Sequence, residues 1–198
     1  MKIGLDLDGV FADFGTAFHT LLCRTCGDQF PPDYEPTKPP VWEWPRHFGY
    51  LKDAEDRAWK VAWDSEDFWY HLHTYPGEDR TLEVLEAWMD KHDMYFITNR
   101  KGNKVKWQTE QWLFEHGISF PTVLIAKLKE PIIAALNLDV YIDDNIDMMN
   151  SLAKLRDEKL VPETLRLYLR DAPYNEENRH PGLIVVPSAW AMIQKEGL

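Results

Sequence analysis

The chain has 198 residues, 44% of them apolar, enough for one well-buried core with a small inserted lobe but not for two large domains. With 22 Lys and Arg against 33 Asp and Glu, its formal charge of −11 repels a nucleic-acid backbone and argues against a long polyanionic partner. No run nears the roughly 18 apolar residues of a membrane span, and the first residues lack the basic-then-apolar layout of a signal peptide, so no membrane partner and a cytoplasmic location are expected.

Residues 2–7 read as a first strand and 11–26 as a helix, with Phe11, Phe14, Phe18 and Leu22 on one face and Gly27 as its stop. Cys23 and Cys26, the only cysteines, form a C-x-x-C near the end of that helix. A structural zinc needs four ligands and only His19 lies at a helpful spacing, so two ordinary thiols are expected rather than a zinc centre or a redox pair. Residues 28–50 hold Pro31, Pro32, Pro36, Pro39, Pro40 and Pro45 among Trp42, Trp44, Phe48 and Tyr50. Proline-rich but aromatic sequence has something to bury or to stack on. A helix over 53–63 and the cluster Phe68-Trp69-Tyr70 follow, before Pro76-Gly77.

From Glu78 the chain alternates: helix 79–91, strand 94–98, helix 104–116 closed by Gly117, strand 122–125, helix 130–137, strand 139–142, and a helix from near Asp147. Residues 156–180 are charged and show no clear element; a strand at 183–186 and a helix capped by Ser188 close the chain. Strands alternating with helices predict an α/β fold, a Rossmann-like parallel sheet, with a small, mainly helical cap inserted after the first motif. The expected division is 1–14 with 76–198 as the core and 15–75 as the cap.

Four short pieces sit where predicted strands end: Asp6-Leu7-Asp8-Gly9-Val10, Ile97-Thr98-Asn99, Lys129, and Ile142-Asp143-Asp144-Asn145. Ligands of an open parallel sheet bind outside the carboxyl ends of its strands, so these pieces converge. Together they suit phosphoryl transfer, which needs a nucleophilic oxygen, charge neutralisation and in-line geometry. Asp6 is the candidate nucleophile and Asp8, past a turn that Gly9 permits, the candidate acid and base. Thr98, the backbone N–H of Asn99 and Lys129 are candidate phosphate contacts; Lys127 competes with Lys129, which is preferred because it starts the next helix. Asp6, Asp8, Asp143 and Asp144 would repel one another unless a hard cation such as Mg²⁺ joined them.

This ordered set resembles the haloacid dehalogenase superfamily of phosphohydrolases, whose signature runs D-x-D-G-[TV], then Thr or Ser, then Lys, then an acidic pair. Within it, Asp8-Gly9-Val10-Phe11-Ala12-Asp13-Phe14 is similar to the D-G-V-x-A-D-F of 5'(3')-deoxyribonucleotidases. Trp63-Asp64-Ser65-Glu66-Asp67-Phe68 and Lys106-Trp107 leading to Trp112 through Gly117 are similar to theirs as well. The resemblance implies a Mg²⁺-dependent enzyme that removes phosphate from (deoxy)nucleoside monophosphates through an aspartyl-phosphate. It also implies an aromatic slot for base and sugar, matched by Phe14 and Trp63 and by Trp42 or Trp44. Both Asp143 and Asp144 would lie close to the metal, with Asp147 able to act through water. The implied partner is a small nucleotide, with a homodimer left open. Alternatives are a phosphatase for polynucleotide 3'-ends or another small metabolite, and a catalytically silent binding protein. Asn99-Arg100 departs from the Ser-Pro of the animal enzymes, and Asn145 stands where a basic residue often follows. Asp171-Ala172-Pro173-Tyr174-Asn175 resembles a late segment of bacterial and phage relatives.

Overall fold

In the computed structural model, which describes residues 1–197, six short apolar runs pair side by side into one all-parallel sheet. They are β1 (Lys2–Leu5), β2 (Asp93–Thr98), β3 (Val123–Ile125), β4 (Val140–Asp143), β5 (Arg166–Arg170) and β6 (Ile184–Val186), in the order β3-β2-β1-β4-β5-β6. Chain order runs outward from β1 on one side and then jumps to β4 on the other. A switch point therefore opens between β1 and β4 at their carboxyl ends, the position where such sheets hold ligands. Leu5 is in register with both Phe96 and Ile142, so the residues after these three strands emerge at one level.

Side chains of alternate strand residues go to opposite faces, and helices cover both. Phe96, Val140, Ile142 and Tyr168 join one buried cluster, whereas Ile97, Tyr141, Leu167 and Leu169 join the other. The first cluster is closed by α4 (Glu78–Glu86), α5 (Val105–Glu115) and α8 (Ala189–Glu196), the second by α6 (Glu130–Leu136) and α7 (Ile146–Asp157). No helix among the described residues is long and apolar enough to cross a membrane.

The cap is built from α1 (Phe14–Cys26), α2 (Trp44–His47) and α3 (Lys52–Asp64). Phe18, Leu22, Trp44, Tyr50, Ala54 and Ala58 form its own small core. Asp13 caps α1 by accepting from the Thr16 N–H at 3.0 Å. Gly15 lets the 28–43 loop lie against α1, because a Cβ there would run into the Pro36 carbonyl. Trp69 and Leu72 belong to the main cluster rather than to the cap core, so the chain has rejoined the sheet domain before Pro76.

Local differences from the sequence reading have physical causes. β1 ends at Leu5 because the next residues wrap into a turn, in which the Leu7 carbonyl accepts from the N–H groups of Val10, Phe11 and Ala12. That turn delays α1 to Phe14 and sends Phe11 into the main core. The charged stretch 156–180 hides β5, whose flanking arginines find their partners outside the sheet, Arg166 in an ion pair and Arg170 over an aromatic ring. Arg166 pairs with Glu196 at 2.8 Å, and Arg170 lies 4.0 Å over the Tyr75 ring.

Candidate active site

Asp6 leaves the end of β1 with its side chain buried and its N–H donated to the Ile142 carbonyl at 3.0 Å, which ties the two strand ends together. Across the switch point stand Asp143, fully buried, and Asp144, nearly so. One carboxylate oxygen from each of Asp6, Asp143 and Asp144 lies within 4.8 Å of the others. Gly9, at φ +81°, makes this approach possible, since a Cβ there would collide with the Asp144 carboxylate.

Lys129, the residue that precedes α6, reaches into the cluster. Its Nζ stands 2.7 Å from Asp143 Oδ2 and 2.7 Å from Asp6 Oδ1. The second contact pairs the ammonium with a carboxylate oxygen that has no other partner. Burial works to lower the Lys129 pKa, but Asp143 and Asp6 outweigh it and hold the ammonium charged. Burial and then the Asp143 carboxylate push Asp6 well above the usual range against the pull of Lys129. The same two causes push Asp144 up to about 7, moderated by a hydrogen bond from Tyr174.

Three buried carboxylates against one ammonium crowd acidic groups in a low-dielectric place, and their all-oxygen donor set fits a hard divalent cation. Asp143 is already oriented by Lys129, by the Tyr141 hydroxyl at 2.6 Å and by the Asn145 N–H at 2.8 Å. Asp144 accepts from the Tyr174 hydroxyl, and Asn175 Nδ2 donates to its carbonyl at 2.8 Å. The Pro173–Asn175 turn therefore braces the acidic pair, a role that its sequence did not announce.

The Asp8 carboxylate points away from this cluster, so among the side chains expected around the metal it is the exception. The turn after Leu7 directs it to Arg100, which donates from Nη2 at 2.8 Å to one oxygen and from Nε at 3.0 Å to the other. Thr98, fully buried at the end of β2, brings its hydroxyl to 3.4 Å from Asp8 Oδ2. Arg100 is itself only 1% exposed, lying 5.2 Å over the Trp69 ring and 5.7 Å over Trp112, with Nη1 donating to the Thr109 hydroxyl at 3.2 Å. Sequence reasoning noted Arg100 only as a departure from Ser-Pro.

A cavity of about 400 Å³ runs from these residues up to the cap. Asp6, Asp8, Thr98, Asn99, Lys129, Asp143 and Asp144 line its floor; Lys127 lines it too, but without the buried ion pairs that distinguish Lys129. Of the four aromatic residues expected at the slot, Phe14, Trp42 and Trp44 line the cavity. Trp63 does not. It stacks on Trp59 at 5.7 Å and borders a neighbouring cavity of about 320 Å³. Trp59 and Trp69 line the main cavity instead, with Phe14 packed against both at 5.4 and 5.9 Å. Trp42 meets Tyr174 edge-on at 5.4 Å, where the cap loop touches the core.

No protein-family model and no curated protein matches the sequence. Among solved structures, a haloacid dehalogenase-like hydrolase from Burkholderia xenovorans superposes with a TM-score of 0.58 at 13% identity, over 98% of this chain and 95% of that one. A haloacid dehalogenase-like family hydrolase from Xanthomonas campestris aligns at 16% identity over 99% and 95% of the two chains, with a TM-score of 0.46. A HAD hydrolase of family IA, variant 3, from Entamoeba histolytica aligns at 10% identity over 93% and 92%, with a TM-score of 0.45. The Burkholderia likeness shows the fold: this six-stranded parallel sheet with its helices matches that of a haloacid dehalogenase-like hydrolase.

Proposed function

We propose that this chain is a divalent-cation-dependent phosphohydrolase that removes phosphate from nucleoside monophosphates through an aspartyl-phosphate on Asp6. One observation carries the reading. Asp6, Lys129, Asp143 and Asp144 meet at the sheet's switch point, and Asp8 and Thr98 line the same cavity beside them, under a wall of aromatic rings.

A carboxylate oxygen of Asp6 attacks phosphorus as the ester P–O bond breaks, and the departing sugar oxygen takes a proton from Asp8. Water then gives a proton back to Asp8 and attacks the same phosphorus. The P–O bond to Asp6 breaks, releasing inorganic phosphate and restoring the carboxylate. Lys129 and the Thr98 region supply positive charge and donors to the phosphoryl oxygens. Arg100 holds the Asp8 carboxylate by both oxygens, which fixes the orientation of that side chain. A Mg²⁺ ion held by Asp6, Asp143 and Asp144 would shield the approach of carboxylate to phosphate.

The substrate half rests on the cavity. Its volume exceeds what a bare phosphate fills, and stacked aromatic faces favour a flat ring, worth roughly 1–3 kcal/mol per base. Glu43 and Glu55 at its cap end disfavour a second phosphate there. The test is phosphate release from a panel of nucleoside monophosphates and a 3'-phosphorylated oligonucleotide, with Mg²⁺ and with a chelator. Release from the mononucleotides that the chelator stops is expected; preference for the oligonucleotide would overturn the substrate assignment. Asp6→Asn should abolish turnover while the melting temperature is kept or raised, because it removes one of the crowded charges. Retained turnover in that variant would take the nucleophile's role from Asp6.

A further inference from the structure

A second donor cluster lies at the far end of α1, away from the phosphate floor. His19 and Cys23 are four residues apart and so share one face of the helix. Asp28 follows directly on Gly27, whose φ of +82° turns the chain back over that face. One atom from each of His19, Cys23 and Asp28 lies within 4.8 Å of the others.

The spacing has chemical content. At a tetrahedral zinc with bonds of about 2.3 Å to sulfur and 2.0–2.1 Å to nitrogen, the two donors stand about 3.6 Å apart. His19 Nε2 and Cys23 Sγ are 3.6 Å apart. The donors are held in place from outside the cluster. The His19 ring packs on Phe30 at 4.4 Å and on Tyr34 at 5.3 Å. Asp28 Oδ1 accepts the Phe30 N–H at 2.9 Å, and the Tyr50 hydroxyl donates to the Gly27 carbonyl at 2.6 Å while accepting the Gln29 N–H at 3.1 Å. Cys26 faces elsewhere, its thiol donating to the Ala54 carbonyl on α3 at 3.2 Å.

We propose that His19, Cys23 and Asp28 supply three ligands of a zinc-type transition-metal site, with solvent completing the fourth position, that fastens the chain just after Gly27 onto the end of α1. The nitrogen, sulfur and oxygen set selects a borderline cation such as Zn²⁺ or Co²⁺, whereas the all-oxygen set at the switch point suits Mg²⁺. A metal takes the Cys23 sulfur as the thiolate, so the thiol proton must leave. Binding then forms the sulfur–metal bond and releases that proton to solvent. The site is independent of the reaction proposed above.

Titration of the full chain with Co²⁺, in excess Mg²⁺ to fill the oxygen site, tests this directly. One equivalent should produce a thiolate-to-cobalt charge-transfer band with the strong visible bands of a tetrahedral centre. Cys23→Ser should abolish the charge-transfer band, Cys26→Ser should retain it, and His19→Gln should weaken Co²⁺ binding by upwards of about 10-fold. Zn²⁺ should displace Co²⁺ and raise the melting temperature of the parent chain but not of Cys23→Ser. Circular dichroism checks that each variant is folded. Absence of the band at saturating Co²⁺ would leave only an S–H···N hydrogen bond and overturn the proposal. So would a band that survives in folded Cys23→Ser, or one lost equally in folded Cys26→Ser.

Discussion

Arg100 concentrates the local electrostatics of the site in one side chain. Its fork spans both oxygens of Asp8 while the guanidinium lies over the Trp69 and Trp112 rings. A lysine keeps the charge but neither the fork nor the flat stacking surface. Arg100→Lys should therefore lower kcat with KM within about twofold, by up to about 10²-fold if the acid is misplaced by an ångström. Steady-state kinetics with the best nucleotide of the panel check this; an equal fall in binding with kcat intact would make Arg100 a substrate contact instead. The pairing could not be read from spacing. It depends on the turn at Leu7 and on the end of β2 bringing residues 8 and 100 together.

At the scale of elements, α3 explains why one expected slot residue misses the cavity. Trp59 and Trp63 are one turn apart, so they share a face, but the second sits about 6 Å further along the axis and passes the cavity's edge. Trp42→Ala, at a residue 54% exposed, should raise KM by roughly 5–10-fold through lost stacking of about 1 kcal/mol, with little change in melting temperature. Trp63→Ala should leave KM unchanged, and the contrast between the two variants is the measurement. A different pair of helices shares a buried charge. Glu78, in the first turn of α4, accepts the Ala189 N–H at 3.1 Å and so caps α8, while its other oxygen is buried without a partner. Burial raises its pKa above the unfolded value, so ionisation costs stability as pH rises through the folded value. Glu78→Gln keeps the capping oxygen and should stabilise the fold at neutral pH. That gain should fade in acid, where the native carboxyl is already protonated. Denaturant melts at the two pH values would show it.

The whole molecule brings three buried carboxylates from β1 and β4 to one crevice, so its stability should follow divalent cation concentration. A site that binds only the folded chain stabilises it by about 2.7 kcal/mol at one hundred times its dissociation constant. Mg²⁺ should raise the melting temperature, a chelator should reverse the rise, and Asp143→Asn should blunt it; a melting curve indifferent to Mg²⁺ would remove the cation from the site. The −11 charge acts at the same scale, disfavouring long polyanions while the local ammonium of Lys129 faces the cavity floor.

Much of this was legible in the order of residues along the chain. Apolar runs ending in Asp, Thr or Asp-Asp mark strands that open into a ligand crevice, because alternation and strand-end chemistry are local properties. Thus β1, β2, β3 and β4 and the helices between them lie within a few residues of where local pattern puts them, and the strand ends bring Asp6, Lys129, Asp143 and Asp144 together, whereas Asp8 turns to Arg100. β5 was not legible, because its arginines look like solvated charge until Glu196 and Tyr75, distant in sequence, are in place. The fork of Arg100 on Asp8, the brace of Tyr174 on Asp144 and the exchange of Trp63 for Trp59 likewise belong to the tertiary structure. Each is a contact between segments far apart along the chain or a matter of helical phase against a distant wall, and no local pattern encodes where those segments meet.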